Sequence, residues 1–450
     1  MNDISQNGAA LDLLHDLIGR ARRAGADAAD AVFFEGVSLS HGRRLGKTEK
    51  LERSEGHDLG LRVFIGRQQA VVSSSDRSPN ALSELVERAV EMARTVPEDP
   101  FCGIADPAEI TRDWPALEMS DPEEPSAELL IERARAAEEA ALAVAGVTNS
   151  EGAEAGWGRS TVALAASNGF AGSYSGTSHG VSASVIGGQG TAMERDYDYA
   201  SAVYAADLRD PAEIGKSAGE RTVKRLGAKK MPTCRCPVVF DPRVARGVIS
   251  HLLGAISGPA IARGTSFLKD KLGERIFPEG ITIIDDPHRR RGLRSKPFDG
   301  EGLPNRRRAI IDKGMLTTWL LDLRSARQLS LKSTGHAARG TSSPPGPSPT
   351  NVWIEPGALS PQALIADIES GFYVTEMMGM GVNGVTGDYS RGAAGFWIDK
   401  GEITFPVSEM TVAGNLKDMF ARLVAADDLE FKAGMDAPTL RIDDLTVAGA

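Results

Sequence analysis

The chain has only 3 cysteines in 450 residues, Cys102, Cys234 and Cys236. So few thiols cannot build a disulfide framework, and free thiols point to a reducing cytoplasm. Histidine is almost as scarce, with 7 residues: His15, His41, His57, His179, His251, His288 and His336. No two stand four or five residues apart, so no helix presents a histidine pair to a metal ion. No apolar run approaches the roughly 18–20 residues that a membrane helix needs. The first residues, MNDISQNGAALDLLHDLIGRARRAG, lack the basic start and apolar stretch of a secretory signal. Acids outnumber bases, 61 against 51, for a net charge of -10. That balance gives no general attraction to phosphate backbones, so neither nucleic acid nor a membrane is an expected partner.

What is present is an ordinary globular mixture, 41% hydrophobic and 25% charged, with 49 glycines that imply many turns. The pattern predicts an α+β protein. Residues 1–97 read as a helix and antiparallel-sheet unit. Residues 98–125, rich in proline and acids, read as a linker. Residues 126–230 read as a β-meander with helices, and 231–450 as a β-rich C-terminal domain.

Local signals place the helices. Leu11, Leu14, Ile18 and Ala21 share one face of a first helix that Gly25 ends. Ser78-Pro79, Asp210-Pro211, Asp241-Pro242 and Ser360-Pro361 each combine a capping side chain with proline at the first helical position. Ser126 caps a helix expected to bury Leu129, Leu130, Ala134, Ala137 and Ala141. The best-striped helix follows Asp241 and carries Val244, Val248, Ile249, Leu252, Leu253 and Ile256, with Gly258-Pro259 as its stop. The segments IDKGMLT (311–317) and IDKGEIT (398–404) read as two hairpins with Gly314 and Gly401 in their turns. Asn415 opens a last helix.

Few residue constellations suggest chemistry. Cys234, Cys236 and His251 would leave a tetrahedral metal site without a fourth ligand. Gly176-Thr177-Ser178-His179-Gly180 fits G-x-S-x-G, but strand-like text on both sides contradicts a nucleophile elbow. Gly379-Met380-Gly381-Val382-Asn383-Gly384 fits G-x-G-x-x-G, yet no helix follows it, so a dinucleotide fingerprint is rejected. This loop remains a candidate substrate- or partner-facing segment, with Asn383, Asp388, Tyr389, Ser390 and Arg391 as its polar contacts. Arg289, Arg290 and Arg291 head a basic stretch that runs through Arg294, Lys296, Arg306, Arg307 and Arg308. It is a candidate interface patch, and only Phe298 among it offers a stacking ring for a single strand. The proline-rich 344–349 segment reads as a rigid exposed loop.

Six segments in order carry a resemblance. They are LERSEGHDLGLRVFIGRQQAVVSSSD (51–76), GVISHLLGAISGPAIARGTSFL (247–268), DDPHRRRGLRSKPFDGEG (285–302), LDLRSARQLSLKSTGHAARG (321–340), VTEMMGMGVNGVTGDYSRGAAGFWIDKGEIT (374–404) and VAGNLKDMF (412–420). Together they resemble the TldD/PmbA family, specifically its PmbA (TldE) branch. The resemblance implies a heterodimer in which a TldD-like subunit binds zinc through H-E-x-x-x-H and cuts small unfolded peptides. With Gly264-Thr265-Ser266 as register, the two His positions fall on Ile249 and Gly254 and the Glu position on Ser250. The resemblance therefore implies a partner without catalytic or metal-binding residues of its own, which shapes the chamber and can pair with itself when alone. The alternative expectation is a regulatory binding module of the gyrase-modulator kind, without a peptidase role.

Overall fold

The computed structural model describes residues 2–449. Helix α1 (Asn2–Arg23) buries Leu14, Leu17, Ile18 and Ala21, while Leu11 is only partly covered. Strands β1 (Ala28–Arg44), β2 (Lys47–Ile65) and β3 (Gln68–Ser74) follow as a meander. Helix α2 (Pro79–Thr95) buries Leu82, Leu85, Val86, Ala89, Val90 and Ala93, and its Ser78 hydroxyl accepts from the Ala81 amide. Helix α3 (Ala127–Leu142) precedes β4 (Val147–Ala166), β5 (Ala171–Gly187) and β6 (Glu194–Ala202). Helix α4 (Pro211–Lys224) is capped by Asp210.

Expected segments 1–97 and 126–230 share one antiparallel sheet, ordered β3-β2-β1-β4-β5-β6. β1 and β4 are the joint, with Asp30 opposite Ala166 and Arg43 opposite Ala153. Alternation explains the layering, because successive side chains point to opposite faces. Odd-numbered β1 and β4 residues such as Phe33, Leu39, Ala155, Trp157 and Ala163 lie in two cores under the four helices. On the other face, Val32 and Leu164 pack against Phe170, Phe298 and Leu303, which brings the C-terminal half of the chain onto the sheet. Farther along that same face the residues are small: Ser38, Ser40, Gly156, Gly158, Ser178 and Gly180 line an open cleft of about 520 Å³.

The C-terminal half has β7 (Cys234–Phe240), α5 (Pro242–Ala255), α6 (Gly258–Ala262), β8 (Ile283–Asp286), β9 (Arg308–Asp312), β10 (Met315–Leu316), α7 (Leu323–Gln328), β11 (Ala337–Ala338), β12 (Gly346–Pro347) and β13 (Asn351–Ile354). It continues with α8 (Pro361–Ile365), β14 (Ser370–Met378), β15 (Asp388–Asp399), β16 (Glu402–Asn415), α9 (Leu416–Ala421), β17 (Leu423–Ala425), β18 (Met435–Asp436) and β19 (Leu440–Ala448). The larger sheet runs β16-β15-β14-β7-β19-β17, and β16 also pairs with β19, so it closes on itself. A second sheet runs β10-β9-β8-β13-β18. Both DKG hairpins form. Lys313 and Gly314, and Lys400 and Gly401, all have positive φ, as a two-residue turn of type I′ requires.

Several expectations are corrected. Leu129 is 43% exposed, because the α3 stripe passes through Leu130, Ala134, Ala137 and Ala141 and Leu129 lies one residue off it. Gly258-Pro259 does not merely stop α5; it forms the first turn of α6, where proline lacks no needed donor. The 98–125 segment has no helix or strand, but it is strapped down rather than free. Ile110 and Leu117 are buried, Trp114 meets Phe298 edge to face with ring centroids 4.8 Å apart, and the Arg327 guanidinium donates to the Gly103 carbonyl at 2.9 Å. The 344–349 segment is not an exposed loop: only Pro344 within it is exposed, and Gly346-Pro347 pair with β11.

Candidate functional site

The site is built on α5. Asp241 starts the helix by accepting from the Arg243 amide at 2.9 Å. Its own amide donates to the Val374 carbonyl at 2.9 Å, and its other oxygen accepts from the Tyr373 hydroxyl at 3.2 Å. The helix therefore starts from a fixed point on β14. Its apolar side, Ala245, Val248, Ile249, Leu252, Leu253 and Ala255, sinks into the largest core of the protein. Burying side chains of this size contributes about 1.5–3 kcal/mol each. The N-terminal turns carry Arg243 and Arg246, which dock the helix onto β6. Arg243 donates to Asp196 at 2.8 Å, and Arg246 donates to the Tyr199 hydroxyl at 2.7 Å. Burial alone would weaken the Arg243 charge, but Asp196 and Asp241 hold its pKa above the ordinary value. A polar cleft of about 270 Å³ lies here, lined by Tyr199, Arg243, Arg246, Tyr373 and Asp428. Sequence reading missed this docking. The available signal was a pair of arginines three apart, just off the apolar stripe.

The side of α5 away from the core carries Gly247, Ser250, His251 and Gly254. Ser250 and Gly254 are exposed, and His251 is half-buried. At the two positions that the family resemblance assigns to the metal-binding histidines, the helix has Ile249 and Gly254, and at the Glu position between them it has Ser250. Ile249 is 1% exposed and packed in the core, and Gly254 has no side chain. These residues do not fit a metal. Among the described residues no group of three or more His, Cys, Asp or Glu side chains is arranged to hold one. His251 has a lowered pKa, chiefly from burial and then from Arg391, so it stands neutral against the ring of Tyr389.

The start of β15, just after the glycine-rich loop, lies against this open helix face. The loop leaves β14 at Met378 and returns at Asp388, and the Arg391 side chain comes within 3.8 Å of where a Gly247 Cβ would stand. Internal bonds hold its shape. The Asn383 side-chain oxygen accepts from the Val385 amide at 2.9 Å, and Ser390 donates its amide to the Gly381 carbonyl at 2.7 Å. Asp388 accepts from the Thr386 hydroxyl at 2.6 Å and the Asn415 amide at 3.0 Å, and the two bonds keep its pKa low. Arg391 donates to the Gly379 carbonyl at 2.9 Å. Tyr389 is 4% exposed, and burial pushes its hydroxyl up to about 12. Of the five loop residues singled out in the sequence, Asn383, Asp388 and Ser390 are exposed, Arg391 is half-buried, and Tyr389 packs inward. The loop also exposes Met378, Met380 and Val385, the second of these at 93%.

The arginine patch lies elsewhere, in a cleft of about 490 Å³ shared with Ser201, Phe431 and Lys432. It is largely engaged. Arg289 lies over the Phe431 ring at 3.6 Å, and Arg290 pairs with Glu118. Arg291 reaches Glu118 at 3.1 Å and Asp207 at 3.0 Å and covers the Tyr204 ring. Ser178 and His179 lie in mid-strand on β5, so no nucleophile elbow forms there.

Comparison with known proteins gives a consistent result. Family models described as PmbA/TldA metallopeptidase domain 1, central domain and C-terminal domain match residues 29–93, 120–226 and 233–449. The chain is 38% identical to Metalloprotease PmbA of Escherichia coli O157:H7, covering 100% of this chain and 99% of that one. It is 37% identical to the Metalloprotease PmbA homolog of Haemophilus influenzae, covering 95% and 94%. Among solved structures, a Bacteroides thetaiotaomicron protein described as a candidate modulator of DNA gyrase superposes with a TM-score of 0.90 at 28% identity, covering 98% of each chain. TldE from Thermococcus kodakarensis superposes with a TM-score of 0.86 at 21% identity, covering 97% and 100%, a likeness of fold.

Proposed function

The chain belongs to the PmbA/TldD metallopeptidase family, and from that premise we propose that it is the non-catalytic subunit of a cytoplasmic TldD/TldE-type complex. A TldD-like partner would supply zinc and the general base. This chain would shape the chamber in which small unfolded peptides are cut. The observation that carries the reading is the residue set on α5. A helix with a full apolar side and an Asp241 cap carries Ile249 and Gly254 where the family's active subunit has its histidine ligands, and Ser250 where that subunit has glutamate. Losing the ligands removes the Lewis acid and leaves the packing that holds the helix in place.

Two features support a peptide-facing role. The open Gly/Ser face beside Ser38, Gly158 and Ser178 offers backbone and hydroxyl groups with little side-chain bulk, which suits an extended chain of varied sequence. The loop bearing Asn383, Asp388 and Ser390 also exposes Met378, Met380 and Val385, and exposed apolar side chains of this kind suit a partner subunit.

Reconstitution tests the proposal. The purified chain alone should cleave no unstructured peptide, and adding a TldD-like subunit should give cleavage that neither protein achieves alone. Cleavage by the partner at full rate without this chain would contradict it.

A further inference from the structure

The longest uncovered sheet edge among the described residues has a sequence that is complementary to itself. β3 pairs only with residues 59–65 of β2. Residues 47–56 of β2 have β1 on one side and, among the described residues, no strand on the other. Every residue from 45 to 56 is exposed. A row of free amides and carbonyls is a template for another strand, and proteins commonly blunt it with charged side chains, which disfavour pairing unless the incoming charges are complementary. Here the charges are mixed and ordered. Lys47, Lys50 and Arg53 alternate with Glu49, Glu52 and Glu55, so the stretch is neutral in a chain of net charge -10.

The order is a palindrome of charge about Leu51. Lys50 mirrors Glu52, Glu49 mirrors Arg53, Thr48 mirrors Ser54, and Lys47 mirrors Glu55. We infer that this edge docks a second copy of the chain, antiparallel, with the two-fold axis at Leu51. In that arrangement each residue opposes its mirror position on the other copy, so every charged pair is of opposite sign and each occurs twice. Opposite charges across a strand pair stabilise it and like charges destabilise it. A parallel in-register pairing would set lysine against lysine, and an axis one residue away would oppose Glu49 to Leu51. The sequence therefore selects one register.

Leu51, 52% exposed in the single chain, would meet its own copy on the axis and leave water. The bulge where Gly42 pairs with Lys50 and Arg43 with Thr48 lies at the tip. Glu49 is the bulged residue, so the strict ladder is confined to Leu51 and the two Lys50–Glu52 pairs, and Glu49, Thr48 and Lys47 act through side-chain reach. Such a pairing is isologous and closes as a dimer, so it does not propagate. It is independent of the metallopeptidase reading.

Sedimentation of the full chain over a range of concentrations tests it, with thermal unfolding as the check that variants fold. The wild type should dimerise, more weakly in high salt. Lys50→Glu turns two attractive pairs repulsive and should weaken the dimer by about tenfold. The double variant Lys50→Glu/Glu52→Lys restores opposition at both pairs and should restore the dimer. A wild type that stays monomeric, or a dimer indifferent to Lys50→Glu, would overturn the inference.

Discussion

His251 on α5 meets Tyr389 on β15 edge to face, with ring centroids 5.7 Å apart and planes at 77°. One contact thereby joins the helix that would carry the metal site in an active subunit to the base of the glycine-rich loop. Both rings are apolar neighbours at neutral pH, since burial disfavours the charged form of each. The helix is thus fixed by packing, and its two sides should respond differently to substitution.

Ile249→Ala removes a side chain from the core and should cost about 2–5 kcal/mol in denaturant unfolding. Gly254→Ala should do the opposite. A Cβ there meets nothing within 4 Å, and helical glycine is about 0.5–1 kcal/mol worse than alanine. Loss of stability in Gly254→Ala would show that the open face is packed against something this structure does not contain.

Asp30 on β1 is buried between two arginines. It accepts from Arg62 at 2.8 Å and from Arg339 at 3.0 Å, tying the N-terminal sheet to the C-terminal half. Burial would raise its pKa, but the two guanidiniums hold it below the ordinary value. Its contribution is present above about pH 4, the unfolded carboxylate pKa, and is lost as pH falls through the lower folded value. Asp30→Asn leaves buried charge unpaired and should cost about 3–5 kcal/mol at neutral pH. A change within experimental error would contradict this pairing.

Glu301 behaves in the opposite sense. Burial first, then the neighbouring Asp299, raises its pKa to about 8, and burial raises Asp299 to about 7. A carboxyl with a raised folded pKa favours the folded state while protonated. Its penalty is absent below about pH 4, grows as pH rises, and is complete above the folded pKa. Relative to wild type, Glu301→Gln should therefore gain stability as pH rises from 5 to 8, because glutamine keeps an acceptor for the Leu323 amide. A difference that does not change with pH would contradict the assignment.

The loop should be intolerant at Gly381, where a Cβ would lie 1.9 Å from the Ser390 carbonyl oxygen. Gly381→Ala should leave the unfolding midpoint nearly unchanged, since the loop lies outside the core. It should speed amide exchange at Asn383 and Ser390 and reduce activation of the TldD-like partner several-fold. Full activation by this variant would remove the loop from the proposed interface.

Much of the fold was legible because its signals are local. Ser78-Pro79, Asp210-Pro211, Asp241-Pro242 and Ser360-Pro361 all open helices, and the six stripe residues of α2 are its buried residues. Capping and periodicity need no knowledge of distant chain. What escaped was non-local. The joint between β1 and β4 is sealed by bonds between Ala29 and Ser167, which are 138 positions apart. The arginine patch looked free because its counter-charges, Glu118 and Asp207, come from remote segments. Tyr389 reads as a polar loop residue, and only the placement of α5 beneath it makes it a packing residue.

The central claim is that this helix keeps its packing without ligands. Zinc content of the isolated chain, measured by atomic spectroscopy after dialysis into metal-containing buffer, tests it most directly. The expected result is far less than one zinc per chain, with the full equivalent appearing only when the TldD-like partner is present. One tightly held zinc per isolated chain would contradict the account.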